Sequence, residues 1–193
     1  YIIYNMKKIR RINVSRILQL SENMKRITFV SNELCDFPEN EKGGYIKFLF
    51  KESSPAFKDY LSRPYTIRNF RKQKLELDVD FSYHTGNQGY ATKWAYNAKI
   101  GDEILISGPG SKQIINKNSK WFFFVGDMTA IPAIGAHLEE LDENATGFVI
   151  LEIISRDDKI NLKKPKNIKN NWVIQHNKTE KGKRLLDAVK EVK

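Results

Sequence analysis

The sequence is short of cysteine and has no long hydrophobic run. Its one cysteine, Cys35, can neither form an internal disulfide nor supply the thiolates of an iron–sulfur cluster. No apolar segment approaches the roughly 20 residues that a membrane-spanning helix needs. The first residues lack the basic and small-residue regions of a secretory signal. We therefore expect a soluble, cytoplasmic protein without membrane insertion.

Acidic residues are also in deficit. The 193 residues include 33 Lys or Arg against 23 Asp or Glu, which gives a formal net charge of +10. Residues 156–193 hold twelve of the basic and five of the acidic residues, so seven of the ten net charges lie there. This excess favours an anionic ligand, although a lysine-rich composition alone can produce the same balance. No nucleic-acid fold signature accompanies the charge, so a module that only binds polyanions is a distant alternative and no nucleic-acid partner is expected.

The first half of the chain has the pattern of short strands. Helical periodicity is absent there, and the clearest strand covers residues 75–83, in which apolar and polar residues alternate strictly. Its apolar face is expected to fill a barrel and its polar face, with Asp80 and His84, to look outward. With a short helix over residues 90–97, residues 1–113 predict a closed antiparallel β-barrel domain.

The second half has the pattern of a parallel sheet. Its continuous apolar runs are typical of strands covered on both faces. Asp127 or Thr129 can cap a helix after the first of these strands, with Pro132 in its first turn. The predicted elements are strands at 121–125, 147–154 and 172–176, a helix that reaches residue 141, and a final helix around 185–189. Residues 114–193 therefore predict a doubly wound α/β domain.

The most informative short segment is the hexapeptide at residues 63–68, Arg-Pro-Tyr-Thr-Ile-Arg. In an extended chain, Arg63 and Tyr65 share one face while Thr66 and Arg68 share the other. A flavin dinucleotide needs a cation for its pyrophosphate, a flat apolar partner for its ring, and a hydrogen-bond donor near the ring's redox edge. The hexapeptide supplies all three. By itself, it fits an ordinary barrel strand with solvated arginines equally well.

Further motifs follow the hexapeptide in a fixed order. In register, the set resembles the siderophore-interacting proteins, a family of flavin-dependent ferric-siderophore reductases within the ferredoxin-reductase superfamily. The motifs are Arg-Pro-Tyr-Thr-Ile-Arg at 63–68, Leu-Asp-Val-Asp-Phe at 77–81 with His84, Gly-Tyr-Ala-Thr-Lys-Trp-Ala at 89–95, Gly-Asp at 101–102, Gly-Pro-Gly at 108–110 and Gly-Asp-Met-Thr-Ala-Ile-Pro-Ala-Ile at 126–134. Their spread over most of the chain makes the resemblance far more specific than any one of them.

The resemblance implies that FAD binds at the barrel. Arg63 would meet the FAD phosphates, Tyr65 would pack on the flavin or its ribityl chain, and Thr66 would hydrogen-bond near the flavin's reactive nitrogen. His84 would lie on the adenine or pyrophosphate side, and a turn that opens a short helix would direct backbone amides at the pyrophosphate. The alternative for Asp80 is a structural ion pair with a neighbouring arginine and no role in cofactor binding. The full set of implied cofactor-binding residues is Arg63, Tyr65, Thr66, Ile67, Arg68, Asp80, His84, Gly89, Ala91, Thr92, Asp127 and Thr129.

The second domain departs from the nicotinamide-binding members of the superfamily. They place several glycines after the first parallel strand, whereas only Gly126 remains here, and Asp127 puts negative charge where a diphosphate would lie. The electron donor therefore stays open among NADH, NADPH and reduced ferredoxin. The family continues beyond the position of Lys193 into another strand and a terminal helix. We therefore expect the α/β domain to be incomplete at its C-terminus, with an exposed sheet edge.

The implied activity is that of an FAD-dependent oxidoreductase that passes electrons through FAD to Fe(III) in a siderophore and releases Fe(II). Because the flavin carries the chemistry, no catalytic side chain and no metal site are predicted. Basic side chains would steer an anionic ferric siderophore, and the candidates are Lys159, Lys163 and Lys164. Ferredoxin is a second candidate partner. The main alternative is a general NAD(P)H-dependent flavin or ferric reductase without a siderophore preference.

Overall fold

Within the residues that the structure describes, the first half of the chain forms seven antiparallel strands and one α-helix. The computed structural model describes residues 8–51, 60–83, 89–112, 115–175 and 182–192. The elements are β1 (Ile9–Ser21), β2 (Met24–Val30), β3 (Tyr45–Phe50), β4 (Leu61–Thr66), β5 (Asn69–Arg71), β6 (Glu76–Ser82), α1 (Tyr90–Asn97) and β7 (Glu103–Ser107). All seven strands belong to one sheet, in the order β4-β3-β7-β1-β2-β6-β5.

The sheet closes on itself through a bend between β4 and β5. These two strands lie at opposite ends of the strand order but follow one another in the chain. The Ile67 N–H donates to the Gly44 carbonyl beside β3 at 2.8 Å, and the Arg68 N–H donates to the Asp78 carbonyl of β6 at 2.9 Å. The backbone thus passes from one edge of the sheet to the other within two residues. The predicted antiparallel barrel is confirmed.

Aromatic rings fill the barrel. Phe29, Phe48 and Phe81 are fully buried, and Trp94 of α1 packs on them with ring-centroid distances of 6.1, 6.2 and 6.4 Å. Each fully buried phenylalanine contributes about 1.5–3 kcal/mol relative to an exposed one. Helix α1 is therefore attached to the barrel through the same core that holds the strands together.

The polar face of β6 does not look outward, contrary to the sequence-based prediction. Asp78 and Asp80 are only 3% and 4% exposed. Thr28 donates to Asp78 at 2.8 Å, and the Arg26 guanidinium holds Asp80 with an Nε–Oδ1 distance of 2.6 Å. Partners from other strands thus cover this face, and they satisfy the buried carboxylates. His84, expected beside Asp80, lies outside the described residues.

The second half forms a parallel three-stranded sheet with two α-helices in its described residues. Its order is β10-β9-β8, and both neighbouring pairs are parallel, which confirms the predicted α/β domain. The elements are β8 (Trp121–Gly126), α2 (Ile131–Leu138), β9 (Thr146–Ile153), β10 (Ile168–Ile174) and α3 (Lys183–Lys190). Neither these helices nor α1 is long and apolar enough to cross a bilayer, a statement that covers the described residues only.

Two details of this sheet differ from the sequence-based prediction. Helix α2 ends at Leu138, not at Leu141, because i to i+3 hydrogen bonds tighten its last turn, including one of 3.0 Å from Glu140 N to His137 O. Strand β8 is well covered on one face and only partly covered on the other. On the second face Trp121, Phe123 and Val125 are 53%, 37% and 37% exposed, although α3 contacts the strand.

A buried carboxylate joins the two domains. Asp158, which is fully buried, follows β9 and accepts hydrogen bonds from the turn between β1 and β2. The donors are the Ser21 hydroxyl at 3.0 Å, the Asn23 backbone N–H at 2.8 Å and the Asn23 side-chain amide at 3.0 Å. A fourth donor is the Ser155 N–H at 3.0 Å. Because every donor reaches the same side chain, the barrel turn is fixed relative to the end of β9.

Gly126 allows a close approach between β8 and α2. A Cβ atom at this position would lie 2.5 Å from the Cβ of Ala130 and 3.2 Å from Cδ1 of Ile134. Atoms at such a separation overlap, and the backbone would have to shift. This glycine is therefore explained by helix packing and does not by itself indicate a nucleotide.

The close approach predicts opposite effects for two glycine-to-alanine changes. Gly126→Ala should reduce the free energy of unfolding by about 1–3 kcal/mol, because overpacking displaces α2. Gly135→Ala in α2 is the matched control, since its Cβ would meet Leu162 at an ordinary 3.6 Å and alanine favours a helix interior. Urea unfolding monitored by tryptophan fluorescence measures both. Equal losses in the two variants would contradict the packing explanation.

Candidate functional site

Strand β4 places Arg63 and Tyr65 together at the barrel rim. Arg63 lies opposite Phe48 and Tyr65 opposite Ile46 in the β3–β4 ladder, so both belong to the face that carries the buried core. Arg63 is nevertheless exposed, and its guanidinium donates to the Ser62 carbonyl at 2.9 Å. The prediction that the two side chains share a face agrees with this register.

Tyr65 is fixed on three sides. Its ring lies 4.5 Å from that of Phe81 and 5.6 Å from that of Phe48, measured between centroids. Its hydroxyl shares a hydrogen bond with the Thr92 side chain of α1. Burial raises the pKa of Tyr65, although the Thr92 hydrogen bond and the Arg63 charge act in the opposite direction. The ring is therefore an immobilised, uncharged surface beside a free cation.

The first turn of α1 offers backbone donors next to Tyr65. Gly89 is the N-cap and supplies no side-chain hydrogen bond, and a Cβ atom there would meet nothing within 4 Å. Ala91 is buried against the barrel, while Thr92 is half-buried. Free N–H groups at a helix N-terminus attract anions. His84, predicted on this side of the site, lies outside the described residues.

These residues fit a flavin that carries phosphate groups. Arg63 supplies a cation, Tyr65 a packed aromatic ring and Thr92 a hydroxyl that interacts with Tyr65, while Gly89 begins a helix whose first-turn amides have no side-chain cap within the described residues. Thr66 pairs with Tyr45 and so lies on the opposite face of β4. The predicted contact between Thr66 and the flavin nitrogen is therefore not on the face of Tyr65, and it stays a prediction.

Arg68 and Asp80 belong to a second cluster, away from Arg63. Both oxygens of Glu139, which follows α2, are bound by the Arg68 guanidinium, and Lys42 pairs with the same carboxylate. Arg68 also lies 3.7 Å from Asp80, which Arg26 holds. We call these five residues the interdomain ion-pair cluster. Of the predicted cofactor residues, Arg68 and Asp80 thus pair with each other, and Arg68 also pairs with the second domain.

Sequence reasoning missed Glu139 entirely. It follows the last turn of α2 and carries no motif, and only the fold brings it to Arg68 from 71 positions away. Ile67, another predicted cofactor residue, is fully buried in the barrel core. Its backbone makes the closing bend, so its described contacts are structural.

Asp127 and Thr129 form a turn of their own before α2. Oδ1 of Asp127 accepts from the Thr129 N–H at 2.9 Å and from the Thr129 hydroxyl at 2.6 Å. The expected helix cap is corrected: the N-cap is Ala130, without a side-chain hydrogen bond. Asp127 instead satisfies the turn that precedes the helix. The pair lies at the carboxyl end of β8, and the described contacts do not join it to Arg63.

The described contacts do not join the three candidate lysines to one another. Lys159 and Lys163 are exposed, while Lys164 is half-buried and donates to the Ile168 carbonyl. Their role in substrate binding stays a prediction. Among the described residues, no group of three or more His, Cys, Asp or Glu side chains is placed to hold a metal ion.

The fold defines the class first. A closed antiparallel barrel followed by a parallel α/β domain is the architecture of ferredoxin-reductase-like proteins. Ferredoxin–NADP+ reductase from Plasmodium falciparum superimposes with a TM-score of 0.67 over 99% of this chain and 80% of its own, at 19% identity, a similarity of fold alone.

The family follows from more specific matches. Residues 13–113 match the siderophore-interacting FAD-binding domain, and residues 119–193 match the siderophore-interacting protein domain. The chain belongs to the siderophore-interacting protein family. The structure of the siderophore-interacting protein SipS from Aeromonas hydrophila superimposes with a TM-score of 0.85 and 31% identity, covering 97% of this chain and 75% of that one.

A curated relative is the ferric vibriobactin reductase ViuB of Vibrio cholerae serotype O1. It is 30% identical over 182 residues, which cover 86% of this chain and 66% of the relative. The chain therefore spans about two-thirds of the length of the curated relatives that it matches first.

The interdomain ion-pair cluster predicts acid sensitivity. Burial alone would raise the pKa of Glu139, but the hydrogen bonds and charges of Arg68 and Lys42 outweigh it and hold the pKa below its usual value. Glu139→Gln should therefore lower the free energy of unfolding at pH 7 by about 1–3 kcal/mol. The depressed pKa stabilises the fold in full only above the unfolded pKa of about 4.3, and this contribution is lost as the pH falls through the folded pKa, so the difference should shrink as the pH falls from 5 to 3.

Urea unfolding at pH 7, 5, 4 and 3 measures the difference between the two proteins. Glu143→Gln is the matched control, because Glu143 is exposed and lies four residues further along the chain. Its effect should be small at every pH. A constant deficit of Glu139→Gln over the whole range would contradict ionisation as its cause.

Proposed function

We propose that this chain carries the FAD site of a ferric-siderophore reductase. One observation carries the proposal: among the described residues Arg63 has no carboxylate partner, whereas Arg26, Arg68 and Arg71 are each paired with one. The cation lies beside Tyr65, whose hydroxyl interacts with Thr92 in the first turn of α1. An unpaired, exposed arginine next to an aromatic ring and free amides suits a flavin diphosphate.

Each residue of the rim has a distinct task in this proposal. Arg63 neutralises the phosphates, and the α1 amides with Thr92 add hydrogen bonds to them. Tyr65, held by Phe81 and by the Thr92 hydroxyl, keeps a flat surface in place against the ring or the ribityl chain. Rigid support of this kind lowers the entropy that binding costs.

Bound FAD would supply the redox chemistry, accepting two electrons from a donor and releasing them singly to Fe(III). The siderophore is the second substrate, and loss of one positive charge on the metal weakens its oxygen ligation. The net charge of +10 would attract an anionic ferric complex to the protein. We propose NAD(P)H as the donor, with reduced ferredoxin as the alternative, and we propose Lys159 and Lys163 as groups that attract the complex.

The FAD site predicts the effect of removing the free cation. Arg63→Ala should weaken FAD binding by about 10- to 100-fold, because a charge-assisted contact to phosphate is lost. Quenching of FAD fluorescence during titration with protein measures the affinity. Arg11→Ala is the matched control, since Arg11 is an exposed barrel arginine that pairs with Glu103. Equal FAD affinity in Arg63→Ala and wild type would overturn the phosphate role, and wild-type protein that takes up no FAD would overturn the reductase.

The substrate class is tested separately from the cofactor. Photoreduced flavoprotein should be reoxidised faster by a ferric siderophore than by ferric citrate at the same iron concentration and ionic strength. Anaerobic stopped-flow absorbance at the flavin band gives both rates. Equal rates would remove the siderophore preference and leave a general ferric reductase. The same assay, started from oxidised FAD, compares NADH, NADPH and reduced ferredoxin as donors.

A further inference from the structure

Lys25 is a buried lysine without an acidic partner in the described part of the chain. It lies on β2, and only 8% of it is exposed. Its ammonium donates to the Tyr96 carbonyl at 3.0 Å, and its Nζ lies 5.3 Å from the ring centroids of both Tyr83 and Tyr96. Burial lowers the pKa of Lys25. A charged group held in this way needs an explanation, because burying an unpaired charge is costly.

The two tyrosines stand at the two ends of the segment that leads to the proposed phosphate site. Tyr83 immediately precedes residues 84–88, and Tyr96 is in the last turn of α1. Between them lie Gly89 and Thr92, which the proposed function places at the FAD phosphates. The tyrosine rings are themselves in edge-to-face contact, with centroids 5.6 Å apart.

Lys25 of β2 therefore contacts both ends of this segment. At the first end, the Tyr83 N–H donates to the Asn23 carbonyl at 2.9 Å, while the Tyr83 ring faces the ammonium. At the second end, the ammonium satisfies a carbonyl in the last turn of α1, where the helix dipole favours a cation. Helix α1 has only eight residues, so a tilt at Tyr96 would displace Thr92, one turn away.

We propose that Lys25 is a positioning residue for the phosphate-binding end of α1. Lys25 does not itself contact the cofactor. It sets where the first-turn amides and Thr92 lie relative to Arg63 and Tyr65. The inference rests on the proposed function, since it takes the FAD phosphates to be the ligand of that helix end.

Lys25→Met tests the role, because methionine keeps the apolar stem and removes the ammonium. The probes are FAD and riboflavin, which share the ring, although only FAD has phosphates. We expect Lys25→Met to weaken FAD binding at least fivefold, to change riboflavin binding less than twofold, and to keep a wild-type circular dichroism spectrum. Lys25→Arg should restore FAD affinity to within threefold of wild type. Lys74→Met, at an exposed lysine, controls for the loss of one positive charge.

The outcomes separate this inference from the proposal on which it rests. Wild-type protein that binds no FAD overturns the proposed function and the inference with it. If wild type binds FAD, an unchanged FAD affinity in Lys25→Met overturns the inference alone. An equal loss of FAD and riboflavin would also overturn it, because Lys25 would then only support the fold. If Lys25→Met does not fold, Lys25→Gln undergoes the same pair of titrations and the same criteria apply.

Discussion

The bend at Ile67 and Arg68 is the constraint on which the rest of the structure depends. Its backbone hydrogen bonds to Gly44 and Asp78 close the barrel, and closure removes the exposed edges of a seven-stranded sheet. The same bend buries the Ile67 side chain in the core and directs Arg68 away from the rim. Because the chain cannot shift register there without breaking closure, the preceding strand presents Arg63 and Tyr65 in one fixed arrangement.

The bend also determines how the two domains meet. Arg68 leaves the barrel toward Glu139, so the carboxylate that follows α2 is held at the same point where the sheet closes. A second carboxylate, Asp158, holds the turn between β1 and β2 with three hydrogen bonds from the barrel. Two separate attachments of this kind restrict rotation of one domain against the other more than either could alone. The barrel is thereby kept in a constant relation to the α/β domain.

Local patterns predicted the elements well, while long-range charge pairing was invisible to them. The helix at Tyr90–Asn97 has the predicted bounds, and β6 differs from the strand predicted at 75–83 by one residue at each end, since alternation and turn signals lie within a few residues. The polar face of β6 was placed in solvent because its partners come from other segments. Glu139 could not be found, since it lies 71 positions from Arg68. The family was recognisable because its motifs combine ligand chemistry with backbone geometry, as at residues 63–68.

The ion pairs of Arg26, Arg68 and Arg71 strengthen the case for Arg63 as the arginine that binds the FAD phosphates. Arginines at 26, 68 and 71 are bound by buried or half-buried carboxylates, so their charges are neutralised inside the protein. Arg63 lies on β4, which ends at Thr66, and it shares the face of Tyr65. Arg68 lies beyond the end of that strand, in the closing bend, where Glu139 and Asp80 engage it. The bend thus separates Arg63 from the arginines that carboxylates hold. Those ion pairs stabilise the fold, and the proposed phosphate role rests on the cation that they leave unpaired.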